Sequence, residues 1–455
     1  MEQLDLNATA GIWTELIAEG RLDAVAEQAA SLSRPDLVRT LERLPVTDRA
    51  VAFRLLAKDE AHAVFERFDD GLRAELFSSL RDDDVVRLFD ALDPDDRVHL
   101  MDELPAGVTH RLLQRLSEEE RELTAPILGY ERGVIGRRMS TEYVRLHPGH
   151  SVGDALTLAR RRGDDAETIY VLPVVDDSLV LVGVVGLRAL FLAGSDALVA
   201  DLMTAPISVS AHDEEEAAAR RCVDAQVLAV PVVDREDRLV GILTFDDAVR
   251  IIQSAEDEDA SRAGASEPLG RPYLSTPITR LVRSRAVWLF FLAISAALTV
   301  GVLDYFEDDL AQVVALASFI PLLIGTGGNT GSQAAVTITR ALAVGDVRSR
   351  DIGRVLLREV RVGAVLGLTL GGIAFLVILG VSLFSASYTA PIGLTVGISM
   401  LAICVLAASA GGAIPCIAKS LRIDPAVMST PFIATFVDAT GLIVYFLVAK
   451  AILGI

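Results

Sequence analysis

Three patterns of apolar and polar positions follow one another along this chain. In the first, apolar residues recur within a period of 24 residues: Leu44, Phe68, Leu92 and Leu116 lie one period apart, as do Arg49, Arg73, Arg97 and Arg121. The segments LERLPVTDRAVAFRLL, FERFDDGLRAELFSSL and FDALDPDDRVHLMDEL each read as helix, short turn with Pro, Asp or Gly, then helix. Such a period predicts stacked helical hairpins in a small superhelix, each burying its apolar face on the next. From about Met139 to Ile252 the pattern becomes short apolar strands between helices. Past residue 285 it becomes five long apolar segments, at about 286–303, 311–339, 362–384, 391–418 and 426–454. By the criterion of roughly 20 residues per crossing, these read as membrane spans.

The connections set the orientation. Arg280, Arg283 and Arg285 precede the first span, and Asp304, Glu307, Asp308 and Asp309 follow it. Arg340, Arg348, Arg350, Arg354, Arg358 and Arg361 lie between spans two and three, whereas Ser385–Ala390 carries no charge. Lys419 and Arg422 lie between spans four and five. Basic residues on alternate sides place the long N-terminal region and both basic loops in the cytoplasm of a plasma membrane, and the end of the fifth span outside. Lys450 dissents, although a lysine near a helix end can snorkel.

Composition sharpens this division. Residues 1–270 hold 29 Lys+Arg against 53 Asp+Glu, a net of −24; residues 271–455 hold 13 against 9, a net of +4. A surface so acidic repels phosphate, so a nucleic-acid partner is not expected. MEQLDLNATAGIW has no basic n-region and no long apolar core, so no secretory signal is expected there. Cys222, Cys404 and Cys416 form no ligand or redox motif. The six histidines are scattered, with only His147 and His150 close together.

Asp438 is the one ionisable residue between Ala426 and Ala449. A carboxylate at bilayer depth costs roughly 2.5–3.5 kcal/mol on insertion scales, so it points to a function. Its helical neighbours Ala434, Thr435, Gly441 and Leu442, with Pro431 and Tyr445 a turn further, form a mostly small, weakly polar stripe. That stripe suits the wall of a watered cation path; the alternative is a carboxyl held protonated or bonded to a neighbouring helix. In Gly325-Thr-Gly-Gly-Asn-Thr-Gly-Ser-Gln333 of span two, Gly327 and Gly331 suit close helix packing. The same glycines with Gly328 and Asn329 could equally turn backbone carbonyls toward a cavity. Gly363, Gly367 and Gly371 of span three read as packing residues.

In the middle region IYVLPVVDDSLVLVGVVGLRAL and VLAVPVVDREDRLVGILTFDDAV align, each a strand ending in Pro-Val-Val-Asp, a turn, a strand and a helix. These resemble tandem CBS domains, which usually pair and often bind adenine nucleotides such as ATP. Thr244 and Asp247 of the second unit match the family's Ser/Thr-x-x-Asp element, whose carboxylate holds a ribose; the first unit has Leu187 and Leu190 there. Asp247 also reads as a carboxylate at a helix N-terminus. Beyond lies the run Glu256-Asp257-Glu258-Asp259, either a solvated linker or a divalent-cation sensor whose carboxylates repel until a cation bridges them.

The order of superhelix, CBS pair, linker and five spans, with IPLLIGTGGNTGSQAAVTITRALA at 320–343, IDPAVMSTPFIATFVDATGLIVY at 423–445 and DAETIYVLPVVD at 165–176, resembles the MgtE family of magnesium channels over nearly the whole chain. The resemblance implies a cytoplasmic all-α superhelix over 1–130, α/β tandem CBS domains over 131–255, an acidic linker and connecting helix over 256–283, and an all-α membrane domain of five transmembrane helices over 284–455. It implies a homodimer in which Asp438 holds hydrated Mg²⁺ on the two-fold axis, with Gly328, Asn329, Pro431, Thr435 and Gly441 beside the pore. It also implies a connecting helix, about residues 260–280, that closes the pore when internal Mg²⁺ is high. Ser332 and Thr430 stand where the family usually carries Asn, and Arg250, Gln253 and Ala255 where better-known members bear acids that bind regulatory Mg²⁺.

The physics agrees. Mg²⁺ sheds water reluctantly and is best handled with its waters kept, against one or two carboxylates. Two-fold symmetry sets two copies of Asp438 across one path, and the membrane potential drives a double charge inward with about 4.6 kcal/mol per 100 mV. No G-x-x-x-x-G-K-[ST] phosphate loop is present and no enzyme is expected. The rival readings are a channel or exchanger for Co²⁺ or Mn²⁺, and a membrane-anchored CBS nucleotide sensor that conducts nothing.

Overall fold

In the computed structural model the described residues are 5–80, 85, 88, 89, 92–104, 106–269, 273, 276–384, 388–421, 423–425 and 430–455. Parts of the expected connecting helix, 270–272 and 274–275, and part of the motif before span five, 426–429, lie outside them. The chain divides into two compact units, residues 1–256 with 269–277, and residues 257–268 with 278–455.

The 24-residue period becomes a stack of short helices, among them Arg34–Arg43, Val46–Arg54, Asp70–Ser79, Pro94–Glu103 and Glu118–Leu128. Two of these helices carry hydroxyl caps: Ser33 Oγ accepts from the Asp36 amide, and Ser117 and Glu120 form a reciprocal capping box. The repeated arginines do one job in each repeat. Arg49, Arg73 and Arg121 donate to the carbonyls of Leu44, Phe68 and Leu116, and Arg97 to that of Phe89. Each of the first three also reaches an acid of the next repeat, Arg49 to Glu75 (2.9 Å), Arg73 to Asp96 (3.0 Å) and Arg97 to Glu120 (3.5 Å). Between them runs a ladder of buried rings at half the period: Phe53, Phe65, Phe77 and Phe89, with centroids 6.3, 6.5 and 6.4 Å apart. Arg73→Ala would leave Asp96 and two carbonyls without their shared donor in a buried site. We expect a loss of about 3–5 kcal/mol in this unit, read from its denaturant midpoint in the purified chain.

The CBS pattern produces two matching hairpins. β1 (Val171–Val175) pairs antiparallel with β2 (Leu181–Gly186). β3 (Val209–Ser210) runs parallel to β4 (Ala229–Val233), which pairs antiparallel with β5 (Leu239–Thr244). Both hairpins slip register at the last valine of Pro-Val-Val, because the following Asp folds a side-chain turn. Asp176 Oδ1 accepts from the amides of Ser178 and Val180, and Asp234 Oδ1 from those of Glu236 and Arg238. The two turns bond to each other, Leu181 N–H to Asp237 O and Leu239 N–H to Leu179 O, both 2.9 Å.

The acidic run is not a loose linker. Glu256–Asp259 lie in a continuous helix, Phe245–Ala263, that starts in the second CBS unit. Ala, Glu and Arg favour helix here, and nothing interrupts them before Gly264. No α-helix is found among the described residues from Gly264 to Pro277, and the next begins at Ile278.

The five spans are Ile278–Tyr305, Val314–Ala343, Ser349–Ser382, Ala390–Ser420 and Thr430–Leu453. Spans three and four approach backbone to backbone: a Cβ on Gly363, Gly367 or Gly371 would stand 2.6, 2.6 or 2.4 Å from span-four backbone. Those glycines therefore serve packing, as expected. Spans two, four and five enclose a small apolar core with Ala335, Ala407, Ile433 and Val437.

Candidate functional site

Span five places Asp438 at mid-membrane depth, half-buried within one chain. It faces span two through Gly328, whose absent side chain matters: a Cβ there would come 3.4 Å from Asp438 Oδ1 and from Ala434 Cβ. Gly327 and Gly331 face elsewhere, against Ile403, Val437 and Ile433. Span two thus divides its glycines, one beside the carboxylate and two into packing.

Next to this corner span two carries a polar face that its own chain leaves open. Gly325, Asn329 and Gln333 are exposed and Ser332 is half-buried. Ser332 Oγ donates to Thr430 O (3.3 Å), tying span two to the start of span five at the two positions that depart from the family pattern. Thr435 Oγ1 donates to Pro431 O within span five (2.9 Å). Gly441, expected beside Asp438 on the pore face, is instead buried against Ile403 of span four. A cavity of about 780 Å³ lies between spans one and five, among Leu298, Val302, Phe432, Phe436 and Ile443. It is largely apolar, and no Asp, Glu, Lys, Arg or His lines it.

A second charged site was hidden from the sequence. Asp93, Asp95 and Asp96 start the helix Pro94–Glu103, and Glu142, Glu167 and Asp247 of the CBS region repel members of this group, while Asp246 acts on Glu167. Burial first, then the Asp93 charge, push Glu167 up to about 8 and Glu142 up to about 7. Burial and then Asp96 raise Asp93, and hold Asp95 well above the usual carboxylate range. Asp95 Oδ1 is buried with no hydrogen-bond donor among the described residues. No three His, Cys, Asp or Glu side chains among the described residues close on a single point, so the cluster is an open acidic patch rather than a preformed chelate. Its raised values give a sign: the protons bound on folding favour the folded unit below the ordinary value near 4.5, and that contribution fades as pH rises through about 7 to 8. The melting temperature of the cytoplasmic unit in chelator is expected to fall between pH 5.5 and pH 8.5.

The predicted nucleotide pair is already engaged. Thr244 Oγ1 donates to Asp247 Oδ2 at 2.5 Å, and Arg250 pairs with the other oxygen. Asp247 is turned into the acidic patch, whose charges Asp96 and Asp246 also act on Arg250. In the acidic run, Glu258 is taken by Arg262, which also pairs with Asp424 ahead of span five. Glu256 and Asp257 are exposed.

Five apolar spans, a carboxylate within the fifth beside a glycine, and a CBS-bearing cytoplasmic region define a membrane cation transporter. The sequence comparisons agree: residues 320–448 match the family described as a divalent cation transporter, 32–133 the MgtE intracellular N domain, and 134–196 and 199–254 the CBS domain. Magnesium transporter MgtE of Thermus thermophilus is 35% identical over 444 residues, 96% of this chain and 97% of that protein. Its namesake in Enterococcus faecalis is 35% identical over 335 residues, covering 73% and 72%. A solved structure, the cytosolic domain of the Mg²⁺ channel MgtE in complex with ATP, is 30% identical with a TM-score of 0.50, covering 53% of this chain and 99% of that one. The chain belongs to the MgtE family.

Proposed function

We propose that this chain forms a homodimeric channel that moves Mg²⁺ down its electrochemical gradient into the cytoplasm. One observation carries the reading: Asp438 stands at the junction of spans five and two, beside a polar face of Asn329, Ser332 and Gln333 that one chain leaves uncovered. Exposed amides are not stable against lipid, so this face needs water or a second copy. Two copies about a two-fold axis offer two carboxylates and two amide faces to one ion that keeps its hydration shell. Gly328 leaves the width such an ion needs.

The acidic patch supplies regulation. Asp95 with Asp93, Asp96, Glu142, Glu167 and Asp247 gathers repelling carboxylates that a hydrated divalent cation relieves, and Asp95 has an acceptor oxygen to spare. Internal Mg²⁺ then favours the compact cytoplasmic arrangement and a closed pore. The run Glu256–Asp259 is secondary in this reading, because Arg262 already occupies Glu258. An adenine nucleotide enters at the second CBS unit only if it displaces Arg250 from Asp247; the similar cytosolic structure is in complex with ATP, which supports such a ligand here.

Flux of Mg²⁺ into proteoliposomes, with Co²⁺ and Mn²⁺ as competitors, tests the function. A sensor that conducts nothing shows no flux, and a Co²⁺ or Mn²⁺ channel shows the reverse preference. For regulation, millimolar Mg²⁺ is expected to raise the melting temperature of the cytoplasmic unit more at pH 8 than at pH 6. An equal rise in Asp95→Asn and wild type would remove the patch from the mechanism.

A further inference from the structure

Lys450 is the only basic residue that the topology places at the outer surface: every other Lys or Arg beyond residue 270 lies before or near the start of span one, or in the connections between spans two and three or four and five and the span ends that flank them. It lies 12 residues beyond Asp438 on the same helix, about 18 Å further out. A fixed positive charge there would repel a divalent cation approaching along span five. The structure provides its counter-charge. Of the outer acids Asp304, Glu307, Asp308 and Asp309, the first three are exposed, while Asp309 is turned inward at 8% exposure and pairs with Lys450 (Nζ to Oδ2, 3.0 Å).

The pair sits in a built setting. The Lys450 ammonium lies 5.5 Å from the centre of the Phe306 ring, which stacks on Phe446, one turn before Lys450, at 4.6 Å and 17°. Tyr445 Oη donates to Leu316 O (2.9 Å). The segment from Phe306 to Phe319 is thus packed on the outer half of span five by four contacts, one of them an ion pair. Packing alone could be done with apolar residues; the charge pair has a further effect, since it leaves the outer face with no net positive charge along this helix.

We propose that Asp309 is a positioning residue for transport, which holds Lys450 neutralised so that Mg²⁺ enters the outer mouth without repulsion. The proposal rests on the reading that Mg²⁺ travels beside span five. The test is the half-saturating external Mg²⁺ concentration for flux through the full chain in proteoliposomes, at low and high KCl. Asp309→Asn leaves Lys450 uncompensated, and the half-saturating concentration is expected to rise about fourfold at low salt, the effect of one unit charge on a divalent ion about 10 Å away in water. The rise shrinks in high salt, and maximal flux changes little. Adding Lys450→Met to that variant returns the value to wild type, and Asp309→Glu keeps it there.

An unchanged half-saturation in Asp309→Asn overturns the proposal. So does a rise that ignores salt, or one that persists in the Asp309→Asn, Lys450→Met double variant, since either would assign Asp309 to packing alone. Wild-type flux through Asp438→Ala would instead remove the route along span five, whatever the Asp309 variants do.

Discussion

Asp438→Ala is expected to abolish saturable Mg²⁺ uptake, leaving the leak of empty liposomes, while the protein becomes more resistant to unfolding. Both halves follow from one fact. A carboxylate at mid-span is held against a cost of roughly 2.5–3.5 kcal/mol, and its removal relieves the fold even as it deletes the attraction for the ion. Asp438→Asn separates charge from shape, because it keeps the volume beside Gly328 and loses only the anion. It should be as inactive as the alanine variant. Conduction by the asparagine variant at the wild-type rate would show that polarity, not charge, serves the ion. Measuring melting temperature beside flux guards against misfolding, since a dead variant that also melts early would be uninformative about the site.

Gly411→Val is expected to have the second largest effect, on assembly of the membrane unit. A Cβ at Gly411 would stand 2.2 Å from the carbonyl oxygen of Gly331 and 2.9 Å from Ala334 Cβ, so the obstacle is backbone and cannot rotate away. Overpacking of a core costs typically about 1–3 kcal/mol, and a backbone collision lies at or beyond the upper end. Spans two and four would separate, taking Gly331 and the Asp438 corner with them. The expected result is loss of the monodisperse peak in detergent on mild heating, together with flux. Gly372, with open space around its Cα, is the control: Gly372→Val should behave nearly as wild type.

The parts of this protein that a reader of the sequence can see are those written in contiguous residues. The spans are long apolar runs, and Asp438 stands out because nothing near it ionises. The 24-residue period shows in Arg49, Arg73, Arg97 and Arg121, whose shared task of holding carbonyls explains why that residue type recurs. The ring ladder at half that spacing was equally open to inspection in Phe53, Phe65, Phe77 and Phe89 but is obscured by its mixture with aliphatic positions. The acidic patch was not visible. Its members lie at 93–96, 142, 167 and 246–247, among 62 acidic residues, and only folding brings them together. The run Glu256–Asp259 drew attention because it is contiguous, yet the structure makes it a helix whose Glu258 is spent on Arg262. Lys450 broke the charge rule for a similar reason: its partner Asp309 is 141 positions away.

The ring ladder and the arginines run at different intervals, 12 and 24 residues, and this sets how the array can change length. Excising one whole period would bring each Phe and each Arg onto an equivalent predecessor, so the stack could shorten and still close. Excising half a period would keep the rings aligned and strand every downstream guanidinium opposite the wrong helix. Evolution or an engineer can therefore add or remove such hairpins only in pairs of helices, never singly.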